Sequence, residues 1–107
     1  MMGVTMNQDN RFASGSGLDQ SMHYVYILWS QKQRKFYIGY TADLQRRLSE
    51  HERGKGHTTQ RLDSPDLIFY EAFGNENDAR RREGYFKTTK GKKTLKLMLQ
   101  ETLCPVV

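Results

Sequence analysis

The sequence has little of what builds a secreted or membrane protein. It contains one cysteine, Cys104, in 107 residues, so neither an intrachain disulfide nor a cysteine-based zinc site can form. Its longest apolar run, Tyr24 to Trp29, is far shorter than the roughly 20 residues that a membrane helix needs. The N-terminus also lacks the basic and apolar segments of a secretory signal. These absences predict a cytoplasmic protein with no membrane partner.

Charge and aromatic content point to a basic globular domain with a polar tail. The chain has 17 Lys and Arg against 12 Asp and Glu, a net charge of +5, which favours a polyanionic partner such as nucleic acid. The aromatic residues concentrate between Tyr24 and Phe86, where we expect the packed core. Residues 1–21 are polar, contain Gly-Ser-Gly and show no periodicity. We therefore predict a disordered N-terminal tail over 1–21 and one domain over 22–103.

Three segments have the composition of β-strands. HYVYILWS, from His23, and KFYIGY, from Lys35, are separated by a short polar turn, which predicts a hairpin. DLIFYEAF follows Pro65 and predicts a third strand. The expected sheet is therefore small, three-stranded and antiparallel.

Three helices are predicted between and after these strands. Thr41 is suited to cap a helix in which Leu44 and Leu48 form an apolar pair. A second helix starts near Asn75 and is broken at Thr-Thr-Lys-Gly. After Gly91 a terminal helix carries an apolar stripe formed by Leu95, Met98, Leu99 and Leu103. The order β-β-α-β-α-α predicts an α+β fold with helices packed on the sheet.

The turn from the second strand into the first helix gathers groups that bear chemistry. Tyr26 and Tyr37 lie in paired strands, where two tyrosines commonly make only a cross-strand aromatic contact. Gly39 leaves its face of the strand bare, as expected where a ligand approaches closely. Arg47 and His51 share one stripe of the helix, beside the end of that strand. Taken alone, such a stripe can be a solvated face with an ion pair, here Arg46 with Glu50.

Glu83 lies in the second helix among three arginines. Most glutamates in such a setting form an exposed charged face, yet a single carboxylate in a basic site can also ligate Mg²⁺. Gly84 follows directly, and glycine in a helix interior costs about 1 kcal/mol relative to alanine. We therefore expect the helix to be frayed or bent at this position.

These residues together resemble the GIY-YIG nuclease domain. The match comprises Tyr24-Val25-Tyr26, Tyr37-Ile38-Gly39, Arg47 eight residues after that glycine, His51 and Glu83, and runs from about His23 to Lys90. It is closest to the small stand-alone members related to the N-terminal domain of the excinuclease incision subunit. The first tripeptide is Tyr-Val-Tyr in place of Gly-Ile-Tyr, so only its tyrosine transfers.

The resemblance implies a metal-dependent endonuclease that hydrolyses phosphodiester bonds in DNA, with structure-selective or weak sequence specificity, in DNA repair or recombination. Its catalytic residues would be Tyr26, Tyr37, Arg47, His51 and Glu83, with one Mg²⁺ or Mn²⁺ ion held by Glu83. Either tyrosine could orient or deprotonate the attacking water, and the sequence leaves that choice open. His51 would relay a proton or protonate the leaving group.

A basic rim would hold the nucleic acid through phosphate contacts. The residues predicted for this role are Gly39, Lys55, His57, Arg61, Arg82 and Lys87. Two other interpretations remain at this point. One is a non-catalytic nucleic-acid-binding module that keeps the groove, and the other is a protein partner or homodimer bound through the apolar C-terminal helix.

Overall fold

The computed structural model describes residues 21–52 and 65–104. The elements in this part of the chain are listed here in order: β1 (His23–Ser30), β2 (Lys35–Thr41), α1 (Leu44–Glu52), β3 (Asp66–Phe73), α2 (Glu76–Phe86), α3 (Thr89–Met98) and α4 (Gln100–Leu103). The predicted α+β fold and its element order are confirmed. Residues 1–20 of the predicted tail lie outside the described residues, so the predicted domain boundary stays a prediction.

The three strands form an antiparallel sheet in the order β2-β1-β3. Tyr26, at the centre of β1, lies opposite Gly39 of β2 and Tyr70 of β3. Successive side chains of a strand point to opposite faces, so Tyr26 and Tyr24 share one face while Val25 and Ile27 occupy the other. The predicted three-stranded antiparallel sheet is therefore confirmed.

Helices cover both faces of β1. On one face Val25 and Ile27 pack in a cluster with residues of β2, α2 and α3, namely Ile38, Ala79, Phe86 and Leu95. On the other face Tyr24, Tyr26 and Leu28 pack against Leu44 of α1. A strand that is buried on two sides has no polar face to show, which explains the uninterrupted apolar run of β1.

The connection from β2 into α1 is short and doubly hydrogen-bonded. Asp43 caps α1, since its Oδ1 accepts a hydrogen bond from the Arg46 backbone N–H at 3.1 Å. Thr41 is still in β2, and its hydroxyl accepts a hydrogen bond from the Asp43 N–H at 3.0 Å. The prediction that Thr41 is the helix cap is therefore wrong by two residues. The Thr41 hydroxyl instead holds Asp43, which is the residue that caps the helix.

Helix α2 runs from Glu76 through Gly84 to Phe86, so the fraying expected at this glycine does not occur. Helix α3 begins before the predicted start at Gly91, because Thr88 accepts a hydrogen bond from the Gly91 N–H at 2.9 Å and caps the helix. A Cβ on Gly91 would clash with the Tyr85 carbonyl oxygen and lie 2.7 Å from the Phe86 Cα. Glycine thus allows the first turn of α3 to touch the end of α2.

The apolar stripe of the C-terminal helices is largely internal. Leu95 is fully buried and Leu103 is 5% exposed, whereas Met98 is 43% exposed and therefore departs from the predicted stripe. Leu99 has non-helical backbone angles and separates α3 from α4, which turns the stripe after Met98. Leu95 and Leu103 of the surface predicted to bind a partner are therefore used inside the domain, and binding of a protein partner or a second copy there stays a prediction. In the described part of the chain, no helix combines the length and apolar character needed to span a membrane.

Candidate active site

Tyr26 is the centre of a buried polar cluster between the sheet and α1. Its side chain has no exposed surface. Its hydroxyl accepts a hydrogen bond from Arg47 Nε at 3.2 Å and lies 3.4 Å from His51 Nε2. Arg47 and His51 are four residues apart on α1, so they occupy successive turns of one helix face. The strand and the helix therefore bring these three predicted residues together, and their catalytic roles stay a prediction.

Gly39 provides the space for the Tyr26 ring. A Cβ at this position would lie 2.5 Å from both Cζ and Oη of Tyr26, well inside van der Waals contact. The bare strand face that we interpreted as room for a phosphate is thus occupied by a side chain of the protein. This interpretation is corrected: the described contact of Gly39 is structural, and it sets the position of the Tyr26 hydroxyl.

Tyr37 lies on the same sheet face and is partly exposed. Its ring centroid lies 6.0 Å from that of Tyr26 and 5.9 Å from that of His51. It is also near enough to influence the pKa values of both Tyr26 and Arg47. We refer to Tyr26, Tyr37, Arg47 and His51 as the Tyr26 cluster. Tyr37 is the tyrosine of this cluster whose side chain reaches solvent.

Glu50 is a member of the site that the sequence analysis named only as the partner of Arg46. The ion pair with Arg46 is present, at 3.8 Å between Arg46 Nη1 and Oε2, and Oε1 also accepts a hydrogen bond from Arg47 Nη1 at 2.9 Å. Arg47 is thus held at Nε by Tyr26 and at Nη1 by Glu50, while its side chain remains 38% exposed. The spacing of three residues allows this contact as readily as a spacing of four does, so the pattern alone did not show that Glu50 also pairs with Arg47.

The environment assigns protonation states to two members of the cluster. Burial raises the pKa of the Tyr26 phenol to about 12, although the hydrogen bond from Arg47 partly opposes this rise. Burial lowers the pKa of His51, and the charge of Arg47 lowers it further. At neutral pH the phenol is therefore protonated and the imidazole is neutral, so that the Tyr26 hydroxyl can donate to His51 Nε2. His51 is a proton acceptor under these conditions, and Tyr26 is not.

Glu83 lies on α2, the helix that packs on the opposite face of the sheet from α1. Its side chain is 18% exposed, and its Oε2 lies 3.0 Å from Lys87 Nζ. Within residues 21–52 and 65–104, no group of three or more His, Cys, Asp or Glu side chains could hold a metal ion. A single carboxylate nevertheless suits Mg²⁺, which commonly takes one or two carboxylates and fills its remaining positions with water and substrate phosphate. The donor chemistry of Glu83 therefore fits such an ion.

The residues predicted to form the basic rim have different surroundings. Arg82 makes two hydrogen bonds to the Glu71 carboxylate, at 2.9 and 3.2 Å, and its guanidinium lies 4.3 Å from the centroid of the Phe86 ring. This arrangement braces α2 against β3, and the predicted contact of Arg82 with a phosphate stays a prediction. Lys87 pairs with Glu83. Lys55, His57 and Arg61 lie outside the described residues.

Comparison with known proteins identifies the class of domain that this fold and cluster represent. The family model described as the GIY-YIG catalytic domain matches residues 22–96. The chain belongs to this family, which is a family of nucleases. The predicted resemblance is therefore confirmed.

Its relatives are small stand-alone members of the family. It is 36% identical over 78 residues to the "UPF0213 protein in ldhD 5'region" of Pediococcus acidilactici, which covers 70% of this chain and 79% of that protein. It is 35% identical over 77 residues to the UPF0213 protein YazA of Bacillus subtilis, covering 71% and 77% of the two chains. The solution NMR structure of the UPF0213 protein BH0048 from Bacillus halodurans is 35% identical, with coverage of 72% and 84% and a TM-score of 0.47.

Proposed function

We propose that the protein is a metal-dependent endonuclease that hydrolyses phosphodiester bonds in DNA with structure-selective or weak sequence specificity, as DNA repair or recombination requires. The observation that supports this most directly is the fixed position of Arg47. Two of its nitrogens are held, by Tyr26 and by Glu50, yet its side chain remains 38% exposed. A preorganised guanidinium at the surface of a nuclease-family domain is suited to bind a phosphodiester.

Arg47 would stabilise the transition state. As the bond between water and phosphorus forms and the bond to the leaving oxygen breaks, negative charge builds up on the nonbridging oxygens. A cation already in place stabilises this charge without reorganisation at the moment of reaction. The contacts of Arg47 with Tyr26 and Glu50 therefore contribute to catalysis by holding the guanidinium in one orientation.

Tyr37 and His51 would handle the attacking water. Tyr37 is partly exposed, and its hydroxyl can orient a water beside the scissile phosphate. His51, whose pKa is lowered, can take up the proton that this water loses at Nε2, when Nε2 exchanges its 3.4 Å contact with the Tyr26 hydroxyl for the water. Tyr26 is buried and its pKa is raised to about 12, so we assign it to positioning Arg47 and His51. Of the two tyrosines left open by the sequence, Tyr37 is thus favoured as the one that acts on water.

Glu83 would hold one divalent cation, Mg²⁺ or Mn²⁺, which supplies Lewis-acid stabilisation of phosphate charge when it is bound. The contact with Lys87 involves Oε2. Oε1 is the second oxygen of the same carboxylate and can serve as the ligand.

The proposal is tested by incubating labelled single-stranded, duplex, flapped and branched DNA, and matching RNA, with the protein in Mg²⁺, in Mn²⁺ and in EDTA. We expect cleavage of DNA that EDTA abolishes. Glu83→Gln is expected to raise the Mg²⁺ concentration for half-maximal cleavage by about tenfold or more. Glu76→Gln, which removes an exposed carboxylate of the same helix paired with Arg80, should leave that concentration unchanged. Binding without cleavage in every metal would instead identify a non-catalytic nucleic-acid-binding module.

A second prediction distinguishes the roles of Tyr26 and Tyr37. Tyr37→Phe is expected to lower kcat about a hundredfold, as loss of a group that handles a proton commonly does, with little change in melting temperature. Tyr26→Phe leaves Arg47 Nε and His51 Nε2 without their buried partner and should cost about 1–3 kcal/mol of folding stability, with a smaller loss of kcat. Cleavage kinetics and thermal melts of both variants decide between them. A larger kcat loss in Tyr26→Phe would reverse the roles assigned here.

A further inference from the structure

The cations of the described residues differ in whether an acid neutralises them. The three consecutive arginines of α2 each pair with a carboxylate in the following order: Arg80 with Glu76 at 2.7 Å, Arg81 with Asp78 at 3.0 Å and Arg82 with Glu71 at 2.9 Å. The positive charge of α2 is therefore largely balanced locally. The excess positive charge of the described residues must lie elsewhere.

A second set of cations surrounds a cleft of about 300 Å³ between the β1–β2 hairpin and α3. Its lining residues are Trp29, Arg34, Lys35, Phe36, Lys92 and Lys96. No ion pair among the described residues involves any of these four cations. The adjoining cleft shares Trp29, Arg34 and Lys96 and carries one carboxylate, that of Glu101. We call the first of these the hairpin–α3 cleft.

The aromatic rings that line the cleft are largely engaged in contacts within the protein. Trp29 is 6% exposed, and its indole N–H donates a hydrogen bond to Gln31. The guanidinium of Arg34 lies 5.3 Å from the centroid of the Trp29 ring. Phe36 packs against the same indole with a centroid separation of 4.9 Å. Nucleic-acid bases need exposed rings to stack on, whereas phosphates need only cations. The chemistry of the cleft therefore favours a sugar-phosphate backbone over bases.

The cleft and the Tyr26 cluster lie on either side of one edge strand. Phe36 and Tyr37 are consecutive residues of β2, so their side chains point to opposite faces. Phe36 lines the cleft, and Tyr37 belongs to the Tyr26 cluster. Because β2 is at the edge of the sheet, a chain that passes around this edge can contact both places.

We infer that the hairpin–α3 cleft is a second nucleic-acid contact, which binds the phosphate backbone of the DNA that flanks the bond to be cleaved. This inference rests on the proposed function and identifies an additional part of the protein that holds the substrate. The contact is sequence-independent, since it reads phosphates and not base edges. Its contribution is to affinity, whereas the chemical step takes place at the Tyr26 cluster.

The test is DNA binding by fluorescence anisotropy in EDTA, so that cleavage does not interfere, with labelled single-stranded and duplex DNA over a range of salt. The paired variant Lys92→Gln with Lys96→Gln should bind about tenfold more weakly. Its plot of log K against log salt concentration should be shallower by about two, since each phosphate contact contributes nearly one to the slope. The control, Lys90→Gln with Lys93→Gln, changes the same charge on the same helix outside the lining residues and should bind like wild type.

Cleavage kinetics in Mg²⁺ provide the second readout, with circular dichroism to verify that all variants fold. The cleft variant should raise KM about tenfold and leave kcat unchanged. Equal losses of DNA affinity in the cleft and control variants would mean that net charge alone causes the effect, and would overturn the inference. Binding to anionic phospholipid vesicles that the cleft variant loses, with DNA binding intact, would overturn it as well. DNA binding that depends on the cleft, in a protein that cleaves nothing, would refute the proposed function and leave the cleft assignment standing.

Discussion

Arg47→Ala is expected to lower kcat about a thousandfold, equivalent to about 4 kcal/mol of transition-state stabilisation. The guanidinium is held by Tyr26 at 3.2 Å and by Glu50 at 2.9 Å, so its removal takes away a fixed positive charge beside the phosphate. The measurement is single-turnover cleavage under saturating Mg²⁺. An excess of protein that saturates the substrate distinguishes a slower chemical step from weaker binding.

Arg46→Ala is the matched control. Arg46 is the adjacent residue, its side chain is 69% exposed, and it also contacts Glu50, at 3.8 Å. The substitution removes the same charge from the same helix, yet its guanidinium is not bonded to Tyr26. We expect its single-turnover rate to stay within about threefold of wild type, as for a surface ion pair. Equal rate losses in the two variants would mean that general charge, and not the position of Arg47, governs cleavage.

Gly91→Ala is expected to destabilise the domain by about 3 kcal/mol or more, the upper range for overpacking. The added Cβ would overlap the Tyr85 carbonyl oxygen and approach the Phe86 Cα to 2.7 Å. Both are backbone atoms, so no side-chain rotation can relieve the clash, and α3 must move away from α2. Because Phe86 and Leu95 are fully buried core residues of these two helices, that movement would open the core.

Gly84→Ala is the paired control and should instead stabilise the domain. A Cβ at this exposed position of α2 meets no atom within 4 Å, and alanine favours the helix by about 1 kcal/mol over glycine. Urea denaturation of wild type and both variants gives the comparison. If Gly91→Ala were as stable as wild type, the close contact between the end of α2 and the start of α3 would be wrong.

Periodicity predicted the elements of this domain because each strand and helix is marked by its own residues. The run Tyr24 to Trp29 is apolar throughout since both faces of β1 are covered, and the pair Leu44 and Leu48 identifies the buried side of α1. The family motif then placed Tyr26, Tyr37, Arg47 and His51 together. The motif spacing predicts these contacts because it reflects the packing of a strand against the helix that follows it.

The remaining features depend on contacts that spacing does not encode. Whether Arg82 faces a phosphate or a carboxylate depends on Glu71, eleven residues away in another element. The sequence predicted that a ligand approaches Gly39 closely, whereas the group that does so is the Tyr26 ring. In the sequence, the C-terminal stripe was an apolar surface of unknown partner. Only the packing of Leu95 shows that its partner is the core of the same domain, formed by residues of the sheet and of α2.

The short connection between β2 and α1 also restricts how this domain can change length. Only Ala42 and Asp43 separate the last residue of β2 from the first of α1, and both ends are fixed by the hydrogen bonds of Thr41 and Asp43. An α-helix has 3.6 residues per turn, so successive residues are rotated by about 100° around its axis. One residue inserted into α1 before Arg47 would therefore rotate the Arg47 guanidinium away from Tyr26. Insertions and deletions between Gly39 and Arg47 should therefore abolish the site even where the fold survives, whereas substitutions at the exposed positions of the same segment should be tolerated.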